Sequence, residues 1–253
     1  IVKVSVVTVV KNDPAGIRET LRSVASQNGV QVEHIIIDGG SSDETLETIR
    51  RFSGRDLIVV SEPDSGPYDA MNKGVLASRG DIVATLNAGD VYTSETSLLT
   101  LTEPFLSDPD LGATFGDLAI TMGAPEYREI RRYQTSNWKP IDLLWGSAPP
   151  HPTLCLRRRA YDLVGFYDSY RIAGDYDLCL RLFLKQNLRY QYCPGVHVKM
   201  PTGGISNRGL TSSISSTWEM YRACRSNRLP ASVLRLLTRL PRKWWSGLIL
   251  GKR

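Results

Sequence analysis

No stretch of about 18 apolar residues occurs in the 253-residue chain, which on sequence grounds excludes a helix that spans a bilayer. The four cysteines, Cys155, Cys179, Cys193 and Cys224, show neither a CxxC pair nor a regular spacing. A disulfide framework and a structural zinc are therefore not expected, and a reducing cytosol is. Two nucleotide-binding signatures are also missing. Without GxxxxGK[ST] or GxGxxG, neither a P-loop hydrolase nor a dinucleotide-dependent oxidoreductase is indicated. Acidic residues are lacking from one end: none of the 26 follows Glu219, whereas nine of the 31 Lys and Arg do. Residues 1–219 thus carry −4 and residues 220–253 carry +9, an acidic body with a basic tail. The apolar start, Val2 to Val10, is β-branched and is followed by no small-residue cleavage site, so it reads as a buried strand and not as a signal peptide.

What is present is an alternation of strands and helices. Val4–Val10, Val32–Ile37, Leu57–Val60 and Ile82–Leu86 are apolar runs of strand length. Between them, Asn12 or Asp13 can cap a helix with Ile17, Leu21, Val24 and Ala25 on one face. Ser42 or Asp43 can start a second, with Leu46, Ile49 and Phe52 inward. Pro67 suits the first position of a third, running through Tyr68, Met71, Val75 and Leu76. This order implies an α/β fold with a mainly parallel sheet and a ligand crevice at the carboxyl ends of its strands. Beyond it, Ala113–Ile120 and Tyr127–Tyr133 read as strands, antiparallel across a Gly123-Ala124-Pro125 turn. Trp138–Pro152 reads as a loop over the crevice, Asp175–Lys185 as a helix and Arg189–Cys193 as a short strand.

Asp38, Asp64 and Asp90 each lie just past a strand end. Any one alone is more simply a turn or cap residue. Three at one sheet edge would line a crevice suited to a metal or a polar ligand.

Five motifs in order carry a likeness to a known family. They are Thr8-Val9-Val10-Lys11-Asn12, Ile37-Asp38-Gly39-Gly40-Ser41-Ser42-Asp43, Glu62-Pro63-Asp64-Ser65-Gly66, Tyr68-Asp69-Ala70-Met71-Asn72-Lys73-Gly74 and Leu86-Asn87-Ala88-Gly89-Asp90. In their spacing the chain resembles the family 2 glycosyltransferases, inverting enzymes of the Rossmann-like GT-A fold, and especially those that build bacterial O-antigen and exopolysaccharide units. Looser matches at Pro150-His151-Pro152, Gly165-Phe166-Tyr167-Asp168, Gly174-Asp175-Tyr176-Asp177 and Gly203-Gly204-Ile205-Ser206 extend the likeness to about residue 207.

The resemblance implies roles. Thr8 and Val10 would line the base and ribose pocket, Asp38 would bind the nucleotide base, and Asp64, Lys73 and Asn87 would face the donor nucleotide. Asp90 matches the last acid of the metal-binding motif and would hold Mg²⁺ or Mn²⁺. Gly89 stands where a second acid is usual, which leaves the phosphates and waters to complete the shell. Asp175 matches the catalytic base, with Tyr176 and Phe166 desolvating it, and Asp177 is its rival. His151, Trp138 and Trp145 are candidates for the acceptor side; Trp138 and Trp145 read equally well as packing residues. His197 is read as structural. UDP-sugars are the favoured donors, with GDP-sugars possible. Transfer would be of single sugars, because the Gln-x-x-Arg-Trp motif of processive synthases is absent.

Residues 1–220 are expected to form the GT-A domain and 221–253 a tail. Val233, Leu236, Leu237, Leu240, Trp244 and Leu248 recur at helical spacing among arginines, as in a basic amphipathic helix at an anionic membrane surface. The alternatives are a helix packed on the body or a homo-oligomer contact; a nucleic-acid partner is not indicated. The expected acceptor is a lipid-linked or soluble oligosaccharide, at the cytoplasmic face of the inner membrane. A rival reading is a non-catalytic GT-A-like assembly partner that binds nucleotide or membrane.

Overall fold

The computed structural model describes residues 2–52, 56–122, 127–202 and 209–239, with the side chains of 209–212 excepted. The first half follows the expected alternation. Strand β1 (Lys3–Val10) leads to α1 (Pro14–Ala25), β2 (Gln31–Asp38), α2 (Thr45–Arg51), β3 (Leu57–Ser61), α3 (Pro67–Ala77) and β4 (Ile82–Thr85). Asp13 caps α1 by accepting from the Gly16 amide at 2.8 Å, and Pro67 opens α3. The buried face of α1 is Ile17, Thr20, Leu21 and Val24, while Ala25 is exposed. On α3, Tyr68, Met71 and Val75 are buried, but Leu76 is turned to solvent. Helical geometry explains the error, since 76 lies one residue round from the 68–71–75 stripe.

After β4 come β5 (Val91–Tyr92), α4 (Ser97–Thr102), α5 (Pro104–Ser107), β6 (Ala113–Thr121) and β7 (Glu129–Tyr133). Residues 138–152 are not an open loop. They contain a 3₁₀ turn at Pro140–Trp145 and begin another at His151–Thr153, followed by β8 (Cys155–Arg157) and α6 (Arg159–Val164). The expected 175–185 helix is α7 (Gly174–Cys179) continued by a π-helical stretch, Leu180–Lys185. Strand β9 is longer than expected, Tyr190–Pro201; α8 (Gly209–Ser226) and α9 (Val233–Leu237) complete the described chain.

The described strands form one sheet in the order β3-β2-β1-β4-β8-β6-β9-β5, with β7 paired to β6. Strands β3, β2, β1 and β4 are mutually parallel, in a register that sets Val10 opposite Asp38 and Asp38 opposite Ser61. β8 enters antiparallel, β6 pairs antiparallel with β8 and β7 but parallel with β9, and β5 is antiparallel to β9. The Gly123-Ala124-Pro125 turn lies outside the described residues.

The boundary expected at 220 falls inside α8. Ala223, Cys224 and Leu236 are buried in the largest core cluster together with Met220, so the chain as far as α9 packs on the body. Val233, Leu234 and Leu237 remain exposed. Residues 240–253, with Pro241 and both tail tryptophans, lie outside the described residues.

One buried charge ties the N-terminal strands together. Glu33 on β2 is almost fully buried, receives hydrogen bonds from the Ser5 hydroxyl and from the Arg79 and Gly80 amides, and pairs with Lys3 at 3.0 Å. Burial pushes its carboxyl up, but the hydrogen bonds and Lys3 outweigh that and hold it below the usual range. Replacing Glu33 with Gln should therefore cost about 1–3 kcal/mol at neutral pH. With the folded-state pKa depressed, that contribution is complete above the unfolded value near about 4.3 and is lost as pH falls through the folded one. Melting curves of wild type and E33Q should accordingly converge in acid; a gap that persists there would refute the charge account.

Candidate active site

The parallel register brings four loops to one sheet edge. The Gly39 amide donates to Val10 O (2.9 Å), Glu62 N to Asp38 O (3.0 Å), Leu86 N to Val7 O (3.0 Å) and Ala88 N to Val9 O (3.2 Å). Asn12 crosses from the first loop to the second. Its amide donates to the Ser41 hydroxyl at 2.8 Å, and its Oδ1 accepts from Ser42 N at 2.9 Å.

Asp38 is fully buried in this seam and accepts from Ser41 N (3.1 Å) and the Ser61 hydroxyl (2.7 Å). Asp64 lies against Gly39 and accepts from Gly66 N at 3.0 Å. Lys73 reaches the same loop, pairing with Glu62 at 2.8 Å and donating to Pro63 O at 3.0 Å. Two expectations fail here. The Thr8 hydroxyl is fully buried, donates to Leu86 O (2.7 Å) and bonds His34 Nε2 (2.9 Å). Val10 packs on Ile17, Leu21, Ile36 and Ile49. Strand alternation turns both side chains under α1 and away from the crevice. His34 is an interior residue, and burial pushes it down to about 3, so the Thr8 contact is with a neutral imidazole.

At the end of β4 the chain turns tightly, with Asp90 N donating to Asn87 O at 3.0 Å. Gly89 takes φ +92° there, a conformation that a second acid at this position would adopt only under strain. Thr20 of α1 fastens the turn, accepting from Gly89 N (3.0 Å) and donating to Asp90 O (2.8 Å). The Asp90 carboxyl is buried and engaged in no described ion pair. Burial pushes it up to about 8, with the Asn87 amide offsetting part of the effect. Asn87 Oδ1 is likewise buried without a partner. Two oxygen groups of this kind at one turn fit a hard divalent cation such as Mg²⁺ or Mn²⁺. No cluster of three or more His, Cys, Asp or Glu side chains with metal geometry exists among the described residues, so most of such an ion's shell would come from ligand and water.

Asp175 stands in the first turn of α7, half-buried, and accepts from the Tyr68 hydroxyl (3.1 Å) and from Tyr176 N (2.8 Å). The Tyr68 ring lies flat on Gly174, where an added Cβ would come within 2.9 Å of it, so glycine at 174 is what admits the tyrosine. Burial, and then Asp175 itself, push the Tyr68 hydroxyl well above its usual value, so it remains a donor. Tyr68 stacks on Tyr167 at 5.6 Å, and Tyr167 bonds His151 Nε2 at 2.7 Å. Burial lowers His151, opposed by the charge of Asp175, while burial raises Tyr167 to about 12. Asn72 fixes Tyr167 by two hydrogen bonds of 2.9 Å to its backbone. Phe166 does not desolvate Asp175: it stacks on Tyr161 and is 37% exposed. Tyr176 contributes its amide, but its hydroxyl points away, to Leu143 O at 2.6 Å.

Two helix-borne groups hold this carboxylate in place. Glu219 of α8 accepts from Ile172 N (2.8 Å) and Ala173 N (2.9 Å), clamping the loop before Asp175. Asp177 is fully buried, paired with Arg181 at 2.8 Å and bonded by Asn227 at 2.7 Å.

The aromatic candidates separate. Trp138 is buried among Phe115, Phe183 and Tyr190, and its indole donates to Ser147 O at 3.0 Å, so it is a core residue that offers no face to a ligand. Trp145 is 39% exposed, with the Arg235 guanidinium 5.3 Å over its ring. His197 is buried and its Nε2 lies 3.3 Å from Cys193 O.

Residues 5–169 match the family described as Glycosyl transferase family 2. The chain belongs to that family. This glycosyltransferase is 29% identical over 250 residues to the PGL/p-HBAD biosynthesis glycosyltransferase of Mycobacterium bovis, covering 95% of this chain and 90% of the relative. Among solved structures it resembles Staphylococcus aureus TarS in complex with UDP-GlcNAc (TM-score 0.65, 18% identity), over 88% of this chain and 64% of TarS 1–349. It also resembles the mannosyltransferase PcManGT of Pyrobaculum calidifontis in complex with GDP-Man and Mn²⁺ (TM-score 0.65, 17% identity), over 90% of this chain and 65% of that one. The fold of the glycosyltransferase is accordingly GT-A. Among its described residues no helix is long and apolar enough to cross a membrane.

Sequence reasoning missed Tyr68, Tyr167, Asn72 and Glu219. The first three lie within motifs it had marked; for Glu219, 44 positions beyond Asp175, it offered no signal. The two α7 carboxylates should separate by stability. Asp177→Asn leaves Arg181 buried without its charge partner and should cost about 3–5 kcal/mol. Asp175→Asn should change stability by less than about 1 kcal/mol. Denaturant unfolding of both variants reads this directly, and equal stabilities would reverse the structural assignment of Asp177.

Proposed function

We propose that the glycosyltransferase moves one sugar, with inversion, from a nucleotide diphosphate donor to an acceptor hydroxyl, using Asp175 as general base. The supporting observation is the Asp175 carboxylate itself. It is held by Tyr68 and the Tyr176 amide, backed by the Glu219 clamp, and carried on the same α/β scaffold as the Asp38–Asp64–Asp90 edge. In the proposed step Asp175 takes the acceptor proton, the freed oxygen bonds to the anomeric carbon on the face opposite the diphosphate, and the bond to the diphosphate oxygen breaks with its electron pair. Tyr68 and Tyr167 exclude water from the carboxylate, and Tyr68 aims it. A divalent cation at Asp90 and Asn87 would supply charge neutralisation to the departing diphosphate.

Asp38, Asp64 and Lys73 frame the nucleotide side of the crevice, and UDP is the favoured nucleotide; TarS was solved with UDP-GlcNAc, and PcManGT with GDP-Man. His151, bonded to Tyr167, belongs to the acceptor side, as does exposed Trp145. The acceptor is inferred to be lipid-linked, with the protein peripheral at an anionic membrane. Supporting this are the exposed Ile141, Trp145, Leu234 and Leu237, the arginine on Trp145, and the acid-free sequence after Glu219.

Binding and chemistry are tested together. UDP should raise the melting temperature in Mn²⁺ or Mg²⁺ and far less in EDTA. Asp175→Asn should bind UDP–metal as wild type does but lose about 10²–10⁴-fold in turnover. Equal UDP stabilisation in EDTA would remove Asp90 as a metal ligand, and unimpaired turnover of D175N would remove the base. Full nucleotide binding without turnover on any glycan acceptor would favour the non-catalytic assembly partner.

Membrane association predicts a separate outcome. Removing residues 240–253 takes away Arg242, Lys243, Lys252 and Arg253 with Trp244 and Trp245, and spares the packed α9. At about 1 kcal/mol per basic residue near an anionic surface, vesicle affinity should fall by orders of magnitude. Melting temperature and UDP binding should not move. Undiminished sedimentation with phosphatidylglycerol vesicles would retire the membrane claim.

A further inference from the structure

The segment from Tyr170 to Asp177 is fastened at three points by α8 and the residue after it. The Tyr170 hydroxyl lies 3.2 Å from the Ser226 hydroxyl, Asn227 donates to Asp177 at 2.7 Å, and Glu219 takes two backbone amides. Of the three α8-side groups, only Glu219 is charged. The amides of Ile172 (2.8 Å) and Ala173 (2.9 Å) converge on one and the same carboxylate oxygen, Oε2. Consecutive amides aimed at one point form a small anion-binding concavity, and Glu219 fills it.

The Ala173 amide and the Ile172 carbonyl belong to one peptide unit. Such a unit is planar and trans, so fixing the direction of its N–H fixes that of its C=O. The Ile172 carbonyl accepts from the Tyr68 hydroxyl at 2.6 Å, and the same hydroxyl stands 3.1 Å from Asp175 Oδ1. One phenol proton thus serves two acceptors, and the place of the carbonyl decides how the phenol meets the carboxylate. Asp175 Oδ1 also accepts from the Tyr176 amide at 2.8 Å, whereas no hydrogen bond from the described residues falls on Oδ2.

We propose that Glu219 is a positioning residue for the base: through the Ile172–Ala173 peptide it sets the Tyr68 hydroxyl on Asp175 Oδ1 and leaves Oδ2 to take the acceptor proton. This rests on the reading of Asp175 as general base. In the step, the hydroxyl proton passes to Oδ2 as the acceptor oxygen bonds to the anomeric carbon, and the diphosphate oxygen leaves with the bonding pair. Without Glu219 the two amides lose their acceptor, and the peptide plane is free to turn and carry the carbonyl away from the phenol. Misplacing a reacting group by about 1 Å is enough to cost about 10²-fold in rate.

Spectra of the full chain with isotope-labelled tyrosine ζ-carbons report the phenol directly, the Tyr68 resonance being the one lost in Tyr68→Phe. That resonance should move in Glu219→Ala and stay near its wild-type place in Glu219→Gln, whose amide oxygen still accepts. With the donor and acceptor of the D175N comparison, E219A and Y68F should each lower kcat about 10–100-fold at unchanged donor KM. The double variant should fall no further than the worse single one, and E219Q should retain most of the turnover. If E219A does not fold, Glu219→Asp, one methylene shorter, carries both readings. An unmoved Tyr68 resonance, losses that multiply in the double variant, or a lower melting temperature with wild-type kcat would overturn the positioning role. E219Q as impaired as E219A would make the charge decisive and not the placement, and would overturn it equally. The base reading fails separately, by unimpaired turnover of D175N, while the Tyr68 resonance, read without donor or acceptor, still decides whether Glu219 sets the phenol.

Discussion

The site depends on the parallel register of β1 with β2 and β4. Because these strands and β3 run the same way, every loop that follows a strand emerges at one edge, and Val10, Asp38, Ser61 and Leu86 arrive side by side. Residues separated by 78 positions, such as Thr8 and Leu86, become hydrogen-bonding neighbours. Helices α1, α2 and α3 cover the two faces and lie close, so their buried residues are apolar or, like Thr20 and Thr45, hydrogen-bonded to the loops. Shifting β1 by one residue would turn Val7 and Thr8 to opposite faces and break both the core and the seam.

Buried charge is used in two ways in this protein. Glu33 and Asp177 are fully furnished with donors and cations, and they fasten elements to one another. Asp90 is buried with no described ion pair, at the same turn as the unpartnered Oδ1 of Asn87. An unpaired buried charge reduces stability unless something binds it, which is the ground for the cation proposed at Asp90. The two kinds are indistinguishable by residue type; their partners alone separate them.

The C-terminal helices support the candidate active site as much as they form the exterior. Glu219 and Asn227 of the α8 region hold the chain on either side of Asp175, and Leu236 anchors α9 in the core below Gly146. A basic, amphipathic sequence there reads naturally as a detached tail. Helical periodicity reports which face is apolar, but not whether that face meets lipid or the protein's own body.

Local pattern was enough for the strand–helix alternation, the Asp13 cap, the Pro67 start and the placing of Asp38, Asp64 and Asp90 just past strand ends, since each depends on neighbours within a few residues. The ordered motifs were likewise enough for the family. Only tertiary structure decided that Thr8, Val10 and Trp138 face the interior, that Asp177 is buried in an ion pair while Asp175 is half-buried without one, and that Gly89 occupies a left-handed turn. It alone brought the Tyr68 hydroxyl to Asp175 and joined Tyr68, Tyr167 and His151 in one chain of contacts. Strand alternation states that residues 8 and 9 point opposite ways, without stating which way holds the ligand. A carboxylate's role is set by donors from distant segments, here at positions 68, 181 and 227, and no spacing within the chain encodes those distances.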